Sequence, residues 1–180
     1  MKNQNTKKLA YAALFLALCL VLPMLTGQIP QIGSMLLPMH IPVLLCGLVC
    51  GWQYGAAVGF VAPLLRSVLF GMPPMYPVAI AMAFELLTYG LVIGLVYRRM
   101  AQKGAAGVYA ALLTAMVAGR LVWGVAEVVL LGFGGKAFTA QAFLAGALLN
   151  AVPGIIVQLV LIPAVMAVLQ KAGAVKEYAE

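Results

Sequence analysis

Charge is what this chain has least of. Only 8% of its 180 residues are Asp, Glu, Lys or Arg, four of them acidic, while 65% are hydrophobic and the mean hydropathy is +1.09. A soluble domain carries about 25% charged residues. A chain this poor in charge cannot cover itself against water, which excludes the soluble classes and places it in lipid. Histidine and serine are nearly absent too: His40 is the single histidine, and Ser34 and Ser67 are the only serines, with no GxSxG elbow. An intramembrane hydrolase would have little to work with. One histidine and separated glutamates are too few for a metal centre, and cobalt or nickel cargo is disfavoured in the same way. No GxxxxGK[ST] loop is present, so the chain carries no ATPase of its own, and no cofactor is expected. The three cysteines, Cys19, Cys46 and Cys50, lie inside apolar runs and read as small packing residues rather than a disulfide framework.

What the chain does have is six apolar runs: Leu9 to about Thr26, Met39–Cys50, Gly55–Phe70, Val78–Tyr97, Ala105–Leu131 and Phe138–Leu169. They predict an all-α integral membrane protein, a bundle of six transmembrane helices forming one domain over residues 1–180. The first run is long and is followed by no small-x-small cleavage site, so it reads as a retained helix rather than a signal peptide. The second is short, since a ~30 Å hydrocarbon core needs about 20 residues. Gly47, Gly51, Gly55 and Gly59 recur every fourth residue and let the second and third helices pack closely, and Ala13-x-x-x-Ala17 gives the first helix a small-residue face. Pro73, Pro74 and Pro77 forbid a continuing helix between runs three and four, and Pro153 predicts a kink in run six.

The net charge of +7 reads as topology rather than nucleic-acid binding. Lys2, Lys7 and Lys8 precede the first helix, Arg98, Arg99 and Lys103 follow the fourth, and Lys171 and Lys176 follow the sixth. With six helices all of these fall on one face, against Lys136 and the helix-end Arg66 on the other. The positive-inside rule then puts both termini and the basic loop 98–104 in the cytoplasm, and the loop 27–38 outside.

Ionisable groups inside a membrane cost about 2.5–3.5 kcal/mol each on insertion scales and point to function by default. The set is His40, Arg66, Glu85, Arg120 and Glu127, with Asn150 as a polar companion. At 1.5 Å per residue Glu85 lies roughly 10–13 Å, and Asn150 roughly 18 Å, below the outer start of its helix. Most of the set shares the outer half of the bundle over five helices, as a cavity open to the outside would require. Trp123, one turn beyond Arg120, is the best aromatic wall. Two arginines suggest an anionic ligand, because guanidinium binds carboxylate or phosphate in a bidentate fashion. Ordinary roles compete: Arg66 at the headgroups, Glu85 paired with Arg120, Glu127 as a counter-charge, His40 bonded to backbone, Asn150 bridging helices. An autonomous ion-coupled carrier is the alternative within transport.

The whole chain, and especially His40 to Pro74, HIPVLLCGLVCGWQYGAAVGFVAPLLRSVLFGMPP, resembles the substrate-binding S component of an energy-coupling factor (ECF) vitamin transporter. The resemblance also rests on the size, the basic N-terminus, Ala13-x-x-x-Ala17 and the long loop before the second run. It implies a multi-pass protein of a prokaryotic plasma membrane that binds a vitamin or related micronutrient from outside. It implies docking on a T component that sits on two cytoplasmic ATPases, with Ala13 and Ala17 at the T-component interface and Gly27–Pro38 as the gating loop. Pantothenate, with one carboxylate, hydroxyls and an amide, fits the polar inventory first. Folate and other carboxylated micronutrients follow, then riboflavin, pyridoxine-type vitamins or a queuosine precursor.

Overall fold

The computed structural model describes residues 2–25, 29, 31, 35–133 and 139–173. They form seven α-helices: α1 (Lys2–Leu25), α2 (His40–Cys50), α3 (Trp52–Phe70), α4 (Ile80–Met100), α5 (Ala105–Phe133), α6 (Ala140–Leu144) and α7 (Val152–Lys171). One-turn π-helical segments, Met75–Ala79 and Ala145–Leu149, lead into α4 and out of α6. No strand occurs among the described residues. Five helical stretches are long and apolar enough to cross a membrane: Gln4–Leu25, Trp52–Phe70, Met75–Met100, Ala105–Phe133 and Val152–Lys171. α2 is apolar but short, rising roughly 16 Å. Half of the expected gating loop 27–38, together with Lys136, Lys176, Glu177 and Glu180, lies outside the described residues.

The bundle is inverted relative to a soluble protein. On α5 the exposed stripe is Leu113, Val117, Leu121 and Val125, spaced by four, whereas Gly119 and Glu127 face inward. That is the pattern lipid imposes, with apolar side chains outward and the few polar groups enclosed.

The centre of the fold is the α2–α3–α4 contact. Gly51 alone joins α2 to α3, at φ +96°, a conformation that favours glycine. The glycines then bring backbones together. A Cβ on Gly55 would stand 2.7 Å from Gly47 Cα and 2.8 Å from the Gly90 carbonyl oxygen. The expected glycine seam is therefore present, and it includes a third helix: Gly90 of α4 meets Gly55 of α3 backbone to backbone.

These contacts also order the two ends. Lys8 lies near Cys50, Gly94 packs on Trp52, and the Gln170 side-chain amide donates to the Tyr97 hydroxyl at 3.1 Å. The start of α1, the α2–α3 turn and the C-terminal ends of α4 and α7 thus share one end, which gathers Lys8, Arg98, Arg99 and Lys171. At the other end the Tyr76 hydroxyl donates to the Leu130 carbonyl, Arg66 donates to the Leu20 carbonyl, and Gly154 packs on the backbone of Met35 and Leu36. α2 and α7 consequently run in the same direction.

The sixth run differs from its expected form. Instead of one helix kinked at Pro153, it is the short α6, a π-helical turn, a break at Asn150–Ala151, and then α7. Pro153 falls in the first turn of α7, where a missing N–H leaves no helical bond unmade, so the proline starts a helix rather than bending one.

Candidate functional site

Glu85 belongs to an inward row on α4, Ala81, Glu85, Tyr89, Ile93 and Tyr97, spaced by four and buried throughout. It is 1% exposed. His40, also 1% exposed, opens α2 directly beneath the turn at 38–39, its backbone N–H bonded to the Leu37 carbonyl at 3.0 Å. Arg120 lies in the middle of α5, after Gly119. A side chain at 119 would strike the Tyr89 ring, 2.7 Å from Cε2, so this glycine lets the Tyr89 ring approach α5 closely.

Three helices thereby converge on one carboxylate. Glu85 Oε1 is 3.0 Å from Arg120 Nη1 and 3.4 Å from His40 Nε2. Both are ion-pair distances that fall short of hydrogen-bond alignment, so Oε1 is left without a hydrogen-bond donor. Tyr89 closes the group: its ring stands edge-on to His40, centroids 5.2 Å apart at 79°, and its hydroxyl lies within hydrogen-bond reach of Arg120. Glu127, also buried, is close enough for its charge to interact with that of Glu85. The buried cluster therefore sets two carboxylates against one guanidinium.

Several of its polar atoms are sealed yet make no hydrogen bond. They are both ring nitrogens of His40, Oε1 of Glu85, and Nε and Nη2 of Arg120. The Arg120 pair is the informative one. With Nη1 turned to Glu85, the Nε–Nη2 edge of the guanidinium is free, and that edge presents two parallel N–H donors.

The remaining candidates lie elsewhere. Arg66 is 2% exposed, but it spans from α3 to the Leu20 carbonyl of α1 and stacks over Phe70 at 5.2 Å. It fastens α1 to α3 and is not drawn into the Glu85 group. Trp123 stacks on Phe143 of α6, centroids 6.1 Å apart, with Gly146 beside its ring. Asn150 is exposed at the break before α7. Ala13 and Ala17 are exposed on the outer side of α1. An open cleft of about 370 Å³ between α5 and α6 is lined by Leu121, Val125, Val128 and Phe143 among others, and none of the charged cluster reaches it. Among the described residues no group of three or more His, Cys, Asp or Glu could hold a metal ion.

One buried polar residue was overlooked in the sequence. Gln158 of α7 is 1% exposed and its Nε2 has no partner. Its inward row, Gly154, Gln158, Ile162 and Met166, is spaced by four, and a lone amide on such a row is the pattern that would have revealed it.

The family model described as the ECF transporter, substrate-specific component, matches residues 7–166. The chain belongs to this family. It is accordingly a multi-pass membrane protein and the substrate-binding subunit of an ECF transporter, a transport subunit rather than an enzyme, with the ATPase carried by other subunits. No curated protein and no solved structure matches this S component.

Proposed function

We propose that this S component takes up a vitamin-sized molecule bearing a carboxylate, pantothenate first among the candidates, and holds it at the His40–Glu85–Arg120 cluster. The observation that carries the reading is the buried, unpartnered Nε–Nη2 edge of Arg120. A buried donor without an acceptor costs about 1–3 kcal/mol, and more where charge is involved. A ligand carboxylate satisfies both donors at once. The same ligand needs hydroxyl or amide donors for Glu85 and Glu127, and pantothenate has both kinds of group. Folate and other carboxylated micronutrients meet the first condition and follow it.

The basic end of the bundle is taken as cytoplasmic, with both termini there, by the positive-inside rule. The cluster then lies toward the outside, beneath residues 35–39, where Leu37 and Met39 are buried. Residues 35–38 are the last part of the expected gating loop, and their movement would open the way to Arg120. In this reading the plasma membrane is prokaryotic, and import is driven through a T component and two cytoplasmic ATPases, with Ala13 and Ala17 at the docking face.

The test compares pantothenate with panthenol, which keeps the amide and hydroxyls and replaces the carboxylate by an alcohol. Wild-type protein purified in detergent is expected to bind pantothenate at least tenfold tighter, and Arg120→Ala to lose more than tenfold in pantothenate affinity together with the preference. Equal affinity for the two probes in the wild type would remove Arg120 as a carboxylate site.

A further inference from the structure

Gln158 has no place in the cluster as described, yet it shares its condition: a polar side chain enclosed in the bundle, with its amide donor unpartnered. α7 packs against α2 and α5, the helices that carry His40 and Arg120. Its depth can be read from the chain. Leu36 and Gly154 touch at the end of the bundle opposite the basic residues. From that contact α7 descends, and Gln158 stands four helical residues beyond Gly154, while His40, the first residue of α2, follows Leu36 by way of the turn at 38–39. Four helical residues are about 6 Å. Gln158 therefore sits one turn below the covering segment, on the inward row of α7, a helix packed against the one that His40 opens.

An amide in such a place is not there for packing. A leucine would fill the volume without an orphaned donor, and Ile162 and Met166 show that the same row accepts apolar residues. What glutamine adds is an N–H donor and a carbonyl acceptor. A site that uses such a donor for a substrate oxygen gains discrimination, because an analogue without the oxygen leaves the donor unpaired.

We propose that Gln158 is a specificity-determining residue of the substrate site, donating from Nε2 to a neutral acceptor oxygen, an amide carbonyl or a hydroxyl, in the part of the ligand remote from its carboxylate. This rests on the assignment of the carboxylate to Arg120, and it divides recognition between two helices: α5 reads the anion, α7 reads the neutral polar group.

The experiment uses the full chain in detergent, with pantothenate and panthenol as probes and thermal unfolding measured on the same samples. Gln158→Leu is expected to weaken both probes by the same factor, about tenfold, with a melting temperature no lower than that of the wild type. Gln158→Met, similar in length but without a donor, is expected to lose as much, and it carries the test by the same criterion if the leucine variant does not fold. Wild-type affinity for both probes in these variants overturns the proposal. So does a loss confined to pantothenate, which would put Gln158 at the carboxylate instead. A wild-type chain that binds neither probe overturns the substrate reading and this inference with it. Retention of affinity in the Gln158 variants, alongside loss of the pantothenate preference in Arg120→Ala, overturns this inference alone.

Discussion

Glu85 and Arg120 illustrate how a buried ion pair in lipid constrains both of its members. Each would be costly alone, and breaking a buried pair by removing one partner typically costs about 3–5 kcal/mol, whereas replacing both by apolar residues is often neutral. Glu85→Leu is therefore expected to lower the melting temperature in detergent sharply, by leaving the guanidinium without its carboxylate. The double variant Glu85→Leu, Arg120→Met should recover most of that loss while binding no carboxylate ligand. A double variant less stable than the single one would show that the pair is held by more than its own charges. At this scale the sequence was legible where a residue type was anomalous by itself: Glu85, Arg120, Glu127 and His40 are all conspicuous in apolar runs, and three of them are buried while the Arg120 side chain is 12% exposed. What the sequence left hidden depends on helix crossings. Arg66 has the same credentials as Arg120, yet its position on α3 sends it to a carbonyl of α1. Gln158 carries no charge, so nothing about its insertion cost drew attention to it.

Among the helices, α4 does most of the organising, because it is packed through glycine on one side and carries Glu85 and Tyr89 on the other. A Cβ at Gly90 would collide with the Gly55 carbonyl, and a backbone atom inside a helix cannot step aside as a flexible side chain can. Gly90→Leu should thus force α3 and α4 apart and prevent recovery of monodisperse protein, or lower its melting temperature well beyond what Gly→Ala propensity accounts for. Gly132→Ala is the matched control: nothing lies within 4 Å of its added Cβ, so the helix-propensity gain of about 0.8–1 kcal/mol should leave stability unchanged or slightly raised. Similar melting temperatures for the two variants would refute the seam. Element boundaries were legible for runs bounded by glycine, proline and charge, as α2, α3 and α4 show. Run six was not, since apolar composition continues through a break that only the local backbone reveals, between the π-helical turn at Ala145–Leu149 and the proline-started α7.

The molecule as a whole presents two kinds of surface to the hydrocarbon. Most of it is bulky, as on α5, where Leu113, Val117, Leu121 and Val125 suit disordered acyl chains. α1 differs: Ala13 and Ala17, one turn apart, are exposed beside the larger Leu14 and Val21, so part of its outer side presents small residues. Within a membrane there is no hydrophobic drive to cover such a face, and association comes instead from close van der Waals packing that small residues permit. The buried side of α1, through Ala12 and Cys19, belongs to the core and does not include Ala13 or Ala17. Replacing both Ala13 and Ala17 by leucine should therefore leave pantothenate affinity within about twofold of wild type, because neither residue approaches the Glu85 cluster. It should abolish co-purification with a T component and its ATPases, because a partner helix could no longer approach the α1 backbone. Normal co-purification by the double variant would move the docking face to another helix. Loss of ligand binding along with assembly would mean that α1, fastened to α3 through Arg66 and Leu20, transmits the change inward and is part of the site's own framework.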